Sequence, residues 1–113
     1  MIDLARMQTV IQRHTGIYFA LYAWNKRPED TAWGVITMDR QADAVWGDEG
    51  MREQALEGTV HLFISSLETT APVAVQAALQ ELGVSWRLDF CTYEQDTRLL
   101  HYGWIWRDWS DSP

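Results

Sequence analysis

Cys91 and His101 come closest to a reactive site, because a thiol and an imidazole can act as nucleophile and general base. Both lie in the segment 84–109, "VSWRLDFCTYEQDTRLLHYGWIWRDW". Reactive cysteines usually lie at a helix N-terminus or in an electropositive pocket, and this segment carries neither signal. The sequence therefore favours a half-buried thiol and a histidine that faces a carboxylate across the strands, and we expect no enzyme activity.

A metal site needs clustered ligands at fixed spacing. His14, His61, His101 and Cys91 are scattered along the chain and form no CxxC, HxH or HExxH pattern. The acidic pairs stand in predicted loops, where carboxylates are usually solvated, and no glycine-rich loop offers a cradle for phosphate. The sequence therefore predicts neither a metal ion nor a cofactor.

Length and charge narrow the class of protein. A chain of 113 residues suits a single domain, which we assign to 1–109 with a frayed polar tail at 110–113. The formal net charge is −7 and Lys26 is the only lysine, which argues against binding along a phosphate backbone or an anionic membrane. One cysteine, no bilayer-length apolar run and no signal-peptide pattern predict a protein of the cytoplasm.

The first half of the chain combines one helix with short strands. Apolar residues at helical spacing over 2–14 predict a helix that Asp3 caps and that ends before Gly16. The segments that follow are a strand at 17–24, a loop at 25–31, a strand at 32–38, a turn at 39–43 and a short strand at 44–46.

The second half carries the clearest patterns. Residues 47–51 predict a flexible, acidic connection, and a period of two over 53–65 predicts a long strand. A helix follows, capped by Thr69 or Thr70 and ended by Gly83. Together the elements predict an α+β fold, with a mostly antiparallel sheet of four to six strands and two helices packed on one face.

The segment from residue 84 onward predicts a β-hairpin. A five-residue loop at 93–97 separates two consistent faces, whereas a four-residue loop mixes them. The predicted pairs are Phe90–Leu100, Leu88–Tyr102 and Trp86–Trp104 on the core face, and Cys91–Leu99, Asp89–His101 and Arg87–Gly103 on the other.

Seven tryptophans are more than one small core needs. Trp24, Trp33 and Trp109, which stand near predicted strand ends or loops, either pack under loops or contact a partner. An aromatic platform for a sugar or a peptide is a third interpretation.

Several stretches together resemble the tail terminator, or tail completion, proteins of long-tailed phages and prophages. They are "LEGTVHLFISS", a helix ending in "ALQELG", and "VSWRLDFCTYEQDTRLLHYGWIWR". The most specific piece is "YEQDTRLLHYGW", in which an acidic turn leads into a strand that carries His-Tyr and then Trp. The resemblance covers residues 53–107, and the preceding residues only by element order. Arg98 stands where a turn glycine would suit the loop.

The resemblance implies a ring, commonly a hexamer, that caps the head-proximal end of the tail tube. It implies as partners other copies of the chain, the tail tube protein and a neck or connector protein, with DNA passing through the lumen without specific binding. It implies assembly in the host cytoplasm and a final place in the virion tail. The expected partner-contacting or pore-facing residues are Trp46, Asp48, Glu49, Met51 and Arg52.

Two other functions fit the sequence. A head–tail connector or neck component would differ from a terminator only in its binding partner. A small acidic inhibitor or adaptor of a host protein would act as a monomer or dimer and form no ring.

Overall fold

The computed structural model describes residues 2–23, 31–47, 50–68 and 70–111, with the backbone alone for 40–47, 50–54, 110 and 111. Its elements are α1 (Leu4–Thr15), β1 (Phe19–Leu21), β2 (Trp33–Gly47), β3 (Gly50–Ile64), α2 (Ala71–Leu82), β4 (Ser85–Glu94) and β5 (Leu99–Asp111). Within these residues the five strands form one sheet in the order β1-β2-β3-β5-β4, with β1 parallel to β2 and the other neighbours antiparallel. The predicted α+β class is confirmed.

Local sequence signals determine both ends of α1, as predicted. The Asp3 carboxylate accepts a hydrogen bond from the backbone N–H of Ala5 at 2.9 Å, and Gly16 ends the helix with a φ of 69°. Glycine suits that position because it has no Cβ to clash in the left-handed region. The buried residues of this helix are Met7, Val10 and Ile11.

Helix α2 begins at one of the two predicted N-cap residues, but the side chain that accepts the capping hydrogen bond belongs to another residue. Thr70 occupies the N-cap without a side-chain capping bond, and the Glu68 carboxylate accepts the backbone N–H of Ala71 at 3.0 Å. Hydrogen bonds from the Thr70 hydroxyl, and then from the backbone N–H groups of Thr70 and Ala71, hold the pKa of Glu68 below its ordinary value. Gly83 ends the helix with a φ of 75°, as predicted.

Strand β2 continues through residues 39–43, so the turn predicted there is wrong. The pairing of β2 with β3 continues across three shifts of register. They lie between Met38 and Arg40, between Gln41 and Asp43, and between Val45 and Trp46. Each bulge inserts an extra residue without ending the pairing, so a polar run can stay in a strand when its partner is long enough. The predicted strand at 44–46 is the far end of β2.

Strand β1 is much shorter than the predicted 17–24. In the described residues of that segment, only Phe19–Leu21 pairs with β2, opposite Gly34–Ile36. Phe19 is fully buried, whereas Tyr22 is 57% exposed and has a φ of 72°. A positive φ at a residue other than glycine marks the bend at which the strand ends.

The β4–β5 hairpin has a four-residue loop, so the predicted five-residue loop is wrong. Glu94 pairs with Leu99, and Arg98 in the loop adopts a φ of 59°, where the sequence suggested a glycine. The observed pairs are Phe90–Gly103, Leu88–Trp104, Trp86–Trp106, Cys91–Tyr102, Thr92–His101 and Arg87–Ile105. The prediction assumed an unbroken ladder, but the register shifts across Asp89, and this shift returns Trp86 to the core face.

The core lies between the helices and one face of the sheet, and its largest members are Trp104 and Trp106. Trp104 Nε1 donates to Gln76 Oε1 on α2 at 3.3 Å, whereas the buried Nε1 of Trp106 has no partner in the described part of the chain. Gly58, directly opposite Trp106, leaves room for that indole. A Cβ at Gly58 would lie 2.5 Å from the ring and 1.9 Å from the carbonyl oxygen of Thr37.

Trp106→Ala should lower the free energy of unfolding by about 3–5 kcal/mol, because it removes a fully buried indole and leaves a cavity. Trp109 lies on the same strand but is 48% exposed, so Trp109→Ala is the matched control. We expect the control to lose under about 1 kcal/mol. Urea unfolding followed by circular dichroism measures both values, and equal losses would contradict the difference in burial.

Candidate interaction surface

The outer face of the sheet, which points away from the helices, carries a row of aromatic and histidine side chains. His61 and Phe63 alternate along β3 with the buried Val60 and Leu62, so they project to the opposite side. Cross-strand neighbours extend the row onto the adjoining strands. We name these five residues the outer-face cluster: Trp33, His61, Phe63, Phe90 and His101.

Ring contacts hold the outer-face cluster together across four strands. Trp33 on β2 stacks on Phe63 on β3 with ring centroids 4.8 Å apart, and Phe63 stacks on His101 on β5 at 4.1 Å. Phe90 on β4 meets the same imidazole edge-on at 4.8 Å. Contacts between aromatic rings in such geometries each contribute about 0.5–1.5 kcal/mol beyond the burial of their area. The cluster therefore fastens the edge strand β4 to the middle of the sheet.

A chain of hydrogen bonds runs through the two imidazoles. His61 Nδ1 lies 2.8 Å from His101 Nε2, and His101 Nδ1 lies 3.1 Å from Glu94 Oε2. The Thr97 hydroxyl, in the β4–β5 loop, donates to the other oxygen of Glu94 at 3.5 Å. An ionised carboxylate only accepts, so His101 donates from Nδ1 to Glu94 and, when neutral, accepts at Nε2 from the Nδ1–H of His61.

Burial lowers the pKa of His61 below its ordinary 6.5. The neighbouring His101 lowers it further, and Asp39 opposes the two effects. The folded protein therefore favours the neutral form of His61, which is the form that can donate from Nδ1 while its other nitrogen carries no proton.

The position of Phe90 depends on Gly103. The two residues are directly paired across β4 and β5, and a Cβ on Gly103 would lie 2.4 Å from Cε1 of Phe90. A side chain at residue 103 would push the Phe90 ring out of its place beside His101. Glycine inside a strand often marks such a close approach.

Cys91 and His101 do not form the reactive pair considered from the sequence. Cys91 pairs with Tyr102, whose neighbours His101 and Gly103 face the other way, so the thiol and the imidazole project to opposite faces. The carboxylate beside His101 belongs to Glu94 rather than to Asp89, because the loop is shorter than predicted. Burial raises the pKa of Tyr102, and a hydrogen bond with Cys91 raises it further.

Among the described strands, the sheet has an unpaired edge on each side. β4 is last in the strand order, so one side of Ser85–Glu94 has no neighbour among the described strands. β1 covers β2 only at Gly34–Ile36, and β4 covers β5 only as far as Arg107. Beyond those points the sheet continues as three strands, which we name the arm. It consists of residues 41–47, 50–56 and 108–111.

The residues predicted to contact a partner or a pore lie mostly in or next to the arm. Trp46, Met51 and Arg52 belong to the paired strands β2 and β3, whereas Trp24, Asp48 and Glu49 lie outside the described residues. Gly47, Gly50 and Met51 lie in the paired strands β2 and β3, so the connection predicted at 47–51 is too long. Trp33 is only 6% exposed and packs on Phe63, while Trp109 is 48% exposed.

The sequence pattern identified members of the outer-face cluster but not their contacts. The period of two over 53–65 places His61 and Phe63 on one face of β3. The contact of His101 with Phe63 depends on the pairing of β3 with β5, which the sequence pattern does not reveal. The cluster can be recognised only when β3 and β5 are known to pair. Helix α2 and strand β4 separate these two strands along the chain.

Comparison with known proteins supplies no family: no family model and no curated protein matches this chain. In the residues that the structure describes, no group of three or more His, Cys, Asp and Glu side chains could hold a metal ion. Neither α1 nor α2 has the length and apolar character of a helix that crosses a membrane. What this protein does must therefore be inferred from its surfaces.

Gly103→Ala should destabilise the protein by about 1–3 kcal/mol, because the new methyl group displaces the Phe90 ring. In a Phe90→Ala background the same change should lose well under about 1 kcal/mol, since the clash is gone. Thr92→Ala is the control background, because Thr92 lies on the same face but opposite His101. A double-mutant cycle from urea unfolding measures the coupling, and an equal loss in both backgrounds would refute the contact.

Proposed function

We propose that this chain is a structural protein of a phage or prophage virion. Like the tail terminators that it resembles, it closes the tail tube with a ring of its own copies and joins the tube to the neck. The observation that supports this most is the pair of different free edges, β4 on one side of the sheet and the arm beyond β1 on the other. The protein assembles in the host cytoplasm and ends in the virion tail.

The free edges favour a head-to-tail contact between copies. An unpaired strand edge presents a row of N–H and C=O groups that can pair with a strand of another chain. The edges of β4 and β2 lie on opposite sides of the sheet, so a contact between them joins two different patches. Such heterologous contacts close into rings when the rotation between neighbours permits.

Large apolar side chains lie exposed on or beside these edges. On β4, Leu88 is 45% and Tyr93 is 54% exposed, and Trp109 at the start of the arm is 48% exposed. Aromatic residues are enriched at protein interfaces, where they provide much of the binding energy. Their position fits a surface that neighbouring copies cover.

The charge of the chain fits a ring that lets DNA pass. The formal net charge is −7, so every added copy makes the ring more negative and more repellent to phosphate. Asp48 and Glu49 connect β2 to β3 at the end of the arm. We name Asp48 and Glu49 the tip. We assign the tip, together with Trp46, Met51 and Arg52, to the lumen or to the contact with the tube.

Three kinds of partner follow from this function: other copies of the chain, the tail tube protein and a neck or connector protein. A head–tail connector would use the same edges and bind a different neighbour. An acidic inhibitor or adaptor would bind a host protein as a monomer or dimer. The mass of the complex and the identity of the bound protein separate these functions.

Leu88→Lys should prevent ring formation while leaving the monomer folded, because it puts a charge on the exposed edge strand. Val73→Lys is the matched control, since Val73 is 64% exposed and lies on α2 rather than on a strand. Light scattering and negative-stain microscopy with the tail tube protein should show rings for the wild type and the control only. Rings of normal mass from Leu88→Lys would contradict the assigned edge.

Neutralising the tip with Asp48→Asn and Glu49→Gln should leave the mass of the ring unchanged and lower the infectivity of the assembled particles. The expected cause is that a less negative wall repels DNA less. Asp96→Asn, in the β4–β5 loop, is the control and should keep full infectivity. Titres per assembled tail measure the effect. A normal titre for the tip variant would contradict the assignment of the tip to the lumen.

A further inference from the structure

Three strands are linked at one point by the Glu94–His101–His61 chain. Glu94 is the last residue of β4, His101 lies on β5 and His61 lies on β3, so the contacts of 3.1 and 2.8 Å each cross a strand boundary. The His101 side chain is only 16% exposed. The Thr97 contact extends the chain into the β4–β5 loop. Side chains thus connect the edge strand and its loop to the centre of the sheet.

The hydrogen bonds between Glu94, His101 and His61 persist when the two imidazoles gain one proton, but not when they gain two. With one proton added, His101 carries N–H groups on both nitrogens and donates to Glu94 and to Nδ1 of His61, so both hydrogen bonds persist. A second proton gives His61 an N–H at Nδ1 as well. Two N–H groups then face each other across 2.8 Å and two positive rings adjoin, so the bond between the imidazoles is lost.

The surrounding charges compensate the first proton better than the second. Glu94 bonds directly to His101, while Asp39 on β2 favours the charged form of His61 only as the smallest of three effects. Among the described residues, two other charged pairs lie on the strands of this face, Arg107–Glu57 at 3.0 Å and Arg87–Asp89 at 3.2 Å. Because those carboxylates have their own guanidinium partners, little negative charge remains for a doubly protonated pair.

We propose that the Glu94–His101–His61 chain is a proton-sensitive latch on the edge strand. It holds β4 and the β4–β5 loop against the centre of the sheet while the two imidazoles carry at most one added proton, and it opens when they take up a second. The latch does not depend on the proposed function. Where β4 is an assembly edge, it makes that edge responsive to acid.

The sign of the pH dependence follows from His61. Burial, and then the nearby His101, depress its pKa below 6.5, so the unfolded chain binds this proton at a higher pH than the folded chain does. The stability contributed by neutral His61 is therefore complete above about pH 6.5 and is lost as the pH falls below that value. A histidine stabilised in its charged form would show the opposite slope.

The test compares the wild type with His61→Asn, in which the amide takes the place of Nδ1 but cannot gain a proton. Between about pH 7.5 and pH 5.5, the midpoint of thermal unfolding should fall about 4 °C further in the wild type than in the variant. In NMR titrations His61 should take up its proton below pH 6.5, and the amides of Glu94 and Thr97 should shift with it. Equal pH dependence in both proteins, or titration of His61 at or above pH 6.5, would overturn the latch.

Two further variants keep the test decisive. His14→Asn removes a histidine that lies 2.9 Å from Glu81 on the helical side of the molecule, so the NMR shifts of Glu94 and Thr97 with pH should be unchanged. Glu94→Gln removes the charge that compensates the first proton, so proton uptake by the pair should move to lower pH even if His61→Asn folds poorly. An unchanged titration in Glu94→Gln would show that the carboxylate is no part of the latch.

Discussion

Strand β3 is paired along both of its sides, to β2 and to β5, and the rest of the structure depends on this double ladder. Because side chains alternate along a strand, the two registers assign each residue either to the helices or to the outer face. Val60 and Leu62 thereby enter the core, and His61 and Phe63 enter the outer-face cluster. A slip by one residue would exchange the two sets and bury imidazoles under the helices.

Close pairing of aromatic residues with glycine recurs through this sheet. Phe19 pairs with Gly34, Trp106 with Gly58 and Phe90 with Gly103, and in each pair a Cβ on the glycine would lie within 2.5 Å of the aromatic ring. The ring lies over the bare backbone of the neighbouring strand, which shields it from water and fixes the register. This packing explains how a small domain holds large aromatic side chains on both faces of one sheet.

Features with local signals could be predicted from the sequence, and features that depend on pairing could not. Asp3, Gly16 and Gly83 mark the ends of the helices through their own chemistry, and the period of two in β3 shows directly. The turn predicted at 39–43 and the five-residue loop at 93–97 failed because bulges let a ladder continue past irregular residues. The predicted pairing of His101 with Asp89 failed because the shorter loop pairs His101 with Thr92 instead.

The outer-face cluster and the free edges are likewise properties of the whole sheet. The contact of Phe63 with His101 needs the register of two strands that are distant in the chain, and no short window of sequence contains it. The exposed edge of β4 follows from its last place in the strand order, and the length of the arm follows from the short extent of β1. Residue types alone could suggest an interface, but the topology is needed to locate one.

The central claim is that copies of this chain assemble through the edges of the sheet. Amide hydrogen exchange, compared between the free protein and the protein bound to tail tubes, tests it most directly. The account predicts slower exchange in β4 and in the part of β2 beyond β1, with the amides of α1 and α2 unchanged. Protection confined to the helices, or no change at either edge, would contradict it.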